Sequence, residues 1–63
     1  MAGPAPSLAE LQALSEHAAH RVALYRRRTY VGQGDPKRLA ELERIAEGAA
    51  ERLRAARAAA AAA

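Results

Sequence analysis

The stretch Gly32-Gln33-Gly34-Asp35-Pro36 lies at the middle of a 63-residue chain and interrupts an otherwise continuous helical pattern. Glycine accepts the left-handed backbone that ends many helices, and here it follows Arg26, Arg27 and Arg28, whose charge suits a helix C-terminus. Asp35 has the chemistry of an N-cap, and Pro36 then falls at the first helical position, where its missing N–H does no harm. A stop and a start within five residues leave an antiparallel return as the only simple connection. The expected fold is therefore all-α, a coiled-coil-like antiparallel two-helix hairpin that pairs into a four-helix bundle or docks on a larger partner.

The helix limits follow from local chemistry. Residues 1–6 contain Gly3, Pro4 and Pro6 and read as a flexible tail. Ser7-Leu8-Ala9-Glu10 is a capping box, in which the serine oxygen and the glutamate carboxylate satisfy two otherwise orphaned N–H groups. Helix 1 is expected over 7–31 with its cap, the turn over 32–35 and helix 2 over 36–58. The alanine tail at 59–63 is expected to be helical or frayed.

Helix 1 gathers Leu8, Leu11, Leu14, Ser15, Ala18, Val22, Tyr25 and Thr29 into one stripe. Leu24, with Ala13 and Val31, forms a second and thinner apolar strip away from the Val22 side. Helix 2 repeats Leu39, Leu42, Ala46, Ala49, Leu53, Ala56 and Ala60 at alternating spacings of three and four, with Ile45 and Ala50 at its flanks. The expected helix interface comprises Leu8, Leu11, Leu14, Ala18, Val22, Tyr25, Leu39, Leu42, Ile45, Ala46, Ala49 and Leu53. Lys37 with Glu41, and Glu51 with Arg54, have the spacing of surface ion pairs. Gly48 stands inside helix 2, where it either permits a close crossing or is simply tolerated.

Composition limits what such a hairpin does alone. Apolar types make up 51% of the chain, but 19 of those residues are alanine. The few larger side chains give a thin core against the entropy of ordering two helices. Association is therefore expected, with a second copy, a larger protein or both. Cysteine is absent, and His17 and His20 are too few to hold a structural metal, so no cofactor is expected. No run is long and apolar enough to suggest a membrane span, and Met1–Pro6 lacks the features of an export signal; a cytoplasmic location is the expectation. The Ala, Arg, Gly and Pro bias, with a single lysine, suits a G+C-rich bacterial genome.

Charge is unevenly distributed. Arg21, Arg26, Arg27, Arg28, Lys37 and Arg38 are opposed only by Asp35, so the turn end carries +5 while residues 1–20 carry −2. Dipole complementation and solubility account for part of this excess. The alternative is an anionic partner (a nucleic acid, a nucleotide or an acidic protein face) met by those six residues and Tyr30. The Gly-rich turn lacks the spacing of a phosphate-binding loop, and Asp35 would repel phosphate. Minimal helical enzymes that bind a dianion with arginines from two chains exist, and Arg21 and Arg28, seven apart beside Leu24, could in principle serve that way. No nucleophile, general base or enclosed pocket accompanies them, so no enzymatic activity is expected. The expected function is a non-enzymatic, regulatory or assembly interaction module, with nucleic-acid or phosphate binding as the alternative.

Overall fold

A computed structural model of the chain describes residues 5–63. It contains two helices, α1 (Leu8–Tyr30) and α2 (Pro36–Ala62), which pack against each other as an antiparallel hairpin. Most of the N-terminal tail (residues 1–4) lies outside the described residues, and Ala5–Ser7 are non-helical.

Each start is made by the cap its sequence provides. The Glu10 backbone N–H donates to Ser7 Oγ at 3.1 Å, and Ser7 Oγ lies 3.3 Å from Glu10 Oε1. At α2 the Lys37 N–H donates to Asp35 Oδ1 at 3.0 Å, with Pro36 in the first turn. α1 stops where Gly32 takes φ +76° and its N–H donates to the Thr29 carbonyl at 3.1 Å. The Gln33 N–H donates to the Arg28 carbonyl at 2.9 Å, so two orphan carbonyls of the last turn are satisfied. Gly34 is needed for a different reason. A Cβ there would stand 2.5 Å from Thr29 Cγ2 and 2.9 Å from the Thr29 backbone nitrogen.

The turn is also latched by a side chain. Asp35 N–H donates to the Tyr25 hydroxyl at 2.8 Å, which fastens the start of α2 to the last third of α1. Thr29 Oγ1 donates back to the Arg26 carbonyl at 2.7 Å, the local bond open to a hydroxyl on a helix. At the far end Arg57 donates to Gln12 Oε1 at 3.3 Å.

The seam between the helices is narrow. Leu11, Ala18 and Val22 of α1 are buried against Leu42, Ala49 and Leu53 of α2, and none of the described side chains is less than 2% exposed. Ser15, Tyr25, Thr29, Leu39, Ala46, Ala50 and Ala56 are half-buried beside them. Three expected seam residues do not pack there: Leu8 is 41% exposed, Leu14 54% and Ile45 51%. Each lies about 60° from the centre of its helix's stripe at 3.6 residues per turn. A helix with a single neighbour covers only the centre of such a stripe, so the flanks stay open.

The two expected surface ion pairs are corrected, and of the two readings of Gly48 the tolerated one holds within the hairpin. Glu41 bonds Arg38 at 3.1 Å rather than Lys37, and no ion pair joins Glu51 to Arg54 among the described residues. Gly48 permits no close crossing within the hairpin, because a Cβ there would meet only Arg52 Nη1 at 3.5 Å. α2 runs through the alanines to Ala62, in keeping with the high helix propensity of that residue. None of the helices of the described residues is long and apolar enough to cross a membrane.

Candidate docking and anion-contact surfaces

The molecule measures 47 × 28 × 15 Å, so it is a sheet one helix thick with two broad faces. Its accessible surface of 4990 Å² exceeds the ~3,900 Å² expected of a compact protein of 6.7 kDa. The surfaces it offers to a partner or ligand are therefore faces and shallow grooves.

The first face has a groove of about 500 Å³ lined by Arg21, Leu24, Tyr25, Arg28, Arg38 and Leu42. α1 contributes Arg21, Leu24 and Arg28 at spacings of three and four, which places them along one flank. The hairpin return brings Arg38 of α2 to the same groove. Three guanidinium groups thus surround a floor formed by Leu24, Tyr25 and Leu42. Among the described residues, Arg21 and Arg28 have no carboxylate within 4.0 Å, whereas Arg38 is held by Glu41 at 3.1 Å. Ile45, one turn beyond Leu42 and seven residues from Arg38, continues this face on α2 as an exposed side chain.

Farther from the turn, the same flank of α1 has a second, more apolar recess lined by Glu10, Ala13, Leu14 and His17. Leu14 and Leu24, 54% and 49% exposed, thus mark its two halves. His20 is exposed, and no group of three or more metal-ligating side chains occurs among the described residues.

The opposite face differs in character. Ala19, Val22, Arg26, Glu43, Ala46 and Glu47 line a shallow recess of mixed charge. Arg26 Nη2 lies 4.0 Å from Glu43 Oε2, with both side chains about half exposed, so the pair adds little stability. Its charge is nevertheless directed away from the first groove.

The basic residues of the turn end are therefore divided. Arg21, Arg28 and Arg38 share the first groove, and Arg26 belongs to the other face. Arg27 and Lys37 are exposed on sides of the helices turned away from the seam. Tyr30, 84% exposed, lines none of these recesses, whereas Tyr25 is half-buried and its hydroxyl is committed to Asp35. The heptad spacing of Arg21 and Arg28 was visible in the linear sequence. The arrival of Arg38 beside them required the length of the turn as well as the periodicity.

No protein family matches the chain, and no curated protein or solved structure matches it.

Proposed function

We propose that this chain is a non-enzymatic helical-hairpin interaction module that works through the face bearing Leu14, Leu24 and Ile45. The supporting observation is the distribution of its larger aliphatic side chains: these three are about half exposed, while among the described residues only Leu11, Val22, Leu42 and Leu53 of comparable size are buried. A thin core with an open apolar face gains stability when that face is covered. The flanking Arg21, Arg28 and Arg38 supply charge that selects an acidic surface on the partner.

Sedimentation equilibrium over a wide concentration range, with thermal melts across the same range, tests this reading. Association with a melting midpoint that rises with concentration is expected. A stable, cooperatively folded monomer at micromolar concentration, with a concentration-independent midpoint, would falsify it.

One observation favours a second reading, in which the partner is a phosphate-bearing molecule. Arg21 and Arg28 line one groove without a carboxylate partner among the described residues, beside Arg38. Such a site binds RNA or DNA with an affinity that falls steeply with salt. Absence of any shift of a labelled oligonucleotide at about 50 mM salt removes this alternative.

A further inference from the structure

One flank of α1 carries Glu10, Leu14, His17, Arg21, Leu24 and Arg28, at spacings of four, three, four, three and four. This is the repeat of a coiled-coil seam, yet α2 does not cover it; all six residues are exposed. The order of chemistry along the seam is acid, leucine, histidine, arginine, leucine, arginine. Read about Ala19 as centre, the six fall into three symmetric pairs: Glu10 with Arg28, Leu14 with Leu24, and His17 with Arg21.

From this symmetry we infer that the face is occupied by a second copy of the chain, with the two α1 helices antiparallel about a two-fold axis level with Ala19. A two-fold interface requires the surface to be complementary to itself, each residue meeting the partner's counterpart and the reverse. Two of the three pairs on this flank meet that requirement without any change of side chains. Glu10 faces the partner's Arg28, and Leu14 faces the partner's Leu24. His17 lies beside the partner's Arg21 and adds no attraction of its own. The operation is two-fold, so each of these pairs occurs twice.

The recesses fit the same arrangement. The apolar one around Ala13 and Leu14 is placed to take the partner's Leu24. The groove containing Arg21, Leu24 and Arg28 takes the partner's Leu14 and Glu10, which brings a carboxylate to guanidinium groups that lack one. α2 raises no conflict. Arg26 beside Glu43 and Gln12 beside Arg57 fix the levels of the hairpin, and they carry the axis to α2 near Ala50. Arg38 then faces the partner's alanine tail, and Ile45 lies between the partner's Arg52 and Ala56.

The parallel alternative is electrostatically poor. An axis running along the helices would place one turn end, carrying +5, beside the other. The antiparallel arrangement keeps the two +5 ends apart and sets each beside the partner's far end, where Glu10 and Glu16 of α1 are offset by Arg52, Arg54 and Arg57 against Glu51 of α2. The product is a four-helix bundle with the two turns at opposite ends.

This inference rests on the interaction-module reading, and the test separates the two. The chain has no cysteine, so Leu14→Cys and Leu24→Cys introduce unique thiols. Oxidation of an equimolar mixture should give the mixed disulfide dimer, while each variant alone should give little dimer. Efficient cross-linking of Leu24→Cys with itself overturns the register. So does a mixture that fails to cross-link although the unmodified chain sediments as a dimer; the interaction reading then stands. If the unmodified chain is a folded monomer, both fall. Charge reversal supplies a second readout. Glu10→Arg and Arg28→Glu should each weaken self-association by about tenfold, and the double variant should recover most of that loss. A double variant no better than the worse single one also overturns the register.

Discussion

The hydroxyl of Tyr25 accepts the backbone N–H of Asp35 at 2.8 Å, joining the end of one helix to the cap of the next. Asp35 in turn caps α2 by accepting the Lys37 N–H at 3.0 Å, so one tyrosine oxygen positions the residue that starts the second helix. Tyr25→Phe keeps the ring and removes this bond. Its expected cost is about 0.5–1.5 kcal/mol, measured by urea denaturation at fixed protein concentration. An unchanged midpoint would show that water replaces the hydroxyl without loss.

The two glycines of the turn should respond differently to alanine. Gly32→Ala places a side chain at φ +76° in open space, at a cost of about 1–2 kcal/mol. Gly34→Ala drives a methyl group to within 2.5 Å of Thr29 Cγ2 and 2.9 Å of the Thr29 backbone nitrogen. The backbone must move, so Gly34→Ala should be the more damaging of the two. Paired denaturation curves decide the order, and the reverse ranking would contradict the turn geometry.

Gly48→Ala is expected to stabilise the chain. Its new methyl would make only an ordinary contact with Arg52 at 3.5 Å, and alanine is favoured over glycine inside a helix by about 1 kcal/mol. A rise in melting temperature at constant concentration is the readout. A fall would mean that something outside the single hairpin approaches that backbone.

Leu42 and Leu14 are the same residue type in opposite settings. Leu42 is 5% exposed in the seam, and truncation to alanine should cost about 2–5 kcal/mol, enough to unfold a thinly cored hairpin. Leu14 is 54% exposed, so Leu14→Ala should leave helicity at saturating concentration nearly intact while weakening self-association. Circular dichroism and sedimentation, run on both variants, separate loss of fold from loss of contact.

Much of the hairpin was legible residue by residue, because caps and turns are local. Ser7 with Glu10, Gly32, and Asp35 with Pro36 each act within a few residues of themselves, so their chemistry can be read from spacing alone. The width of the seam was harder to read. Periodicity placed Leu14 and Ile45 on the apolar stripe, but how much of a stripe is covered depends on the number of neighbouring helices. With one neighbour, only its centre is buried. The basic cluster was legible as a net charge and not as a surface, because the division of Arg26 from Arg21, Arg28 and Arg38 is set by helical rotation and by the return of α2. The Tyr25–Asp35 bond left no recognisable trace, since tyrosine on a core stripe usually has its hydroxyl at the edge with many acceptable partners.

The position of that bond also bears on how the chain closes. Tyr25 and Asp35 are ten residues apart, Arg26 and Glu43 seventeen, and Gln12 and Arg57 forty-five. Each contact outward from the bend closes a longer segment, but only by the increment beyond the one already made. Folding can therefore proceed as a zipper from a fastened end, while the free ends are the first to part. Amide protons around Val22 and Leu42 should then exchange more slowly than those around Leu11 and Leu53, although all four side chains are buried.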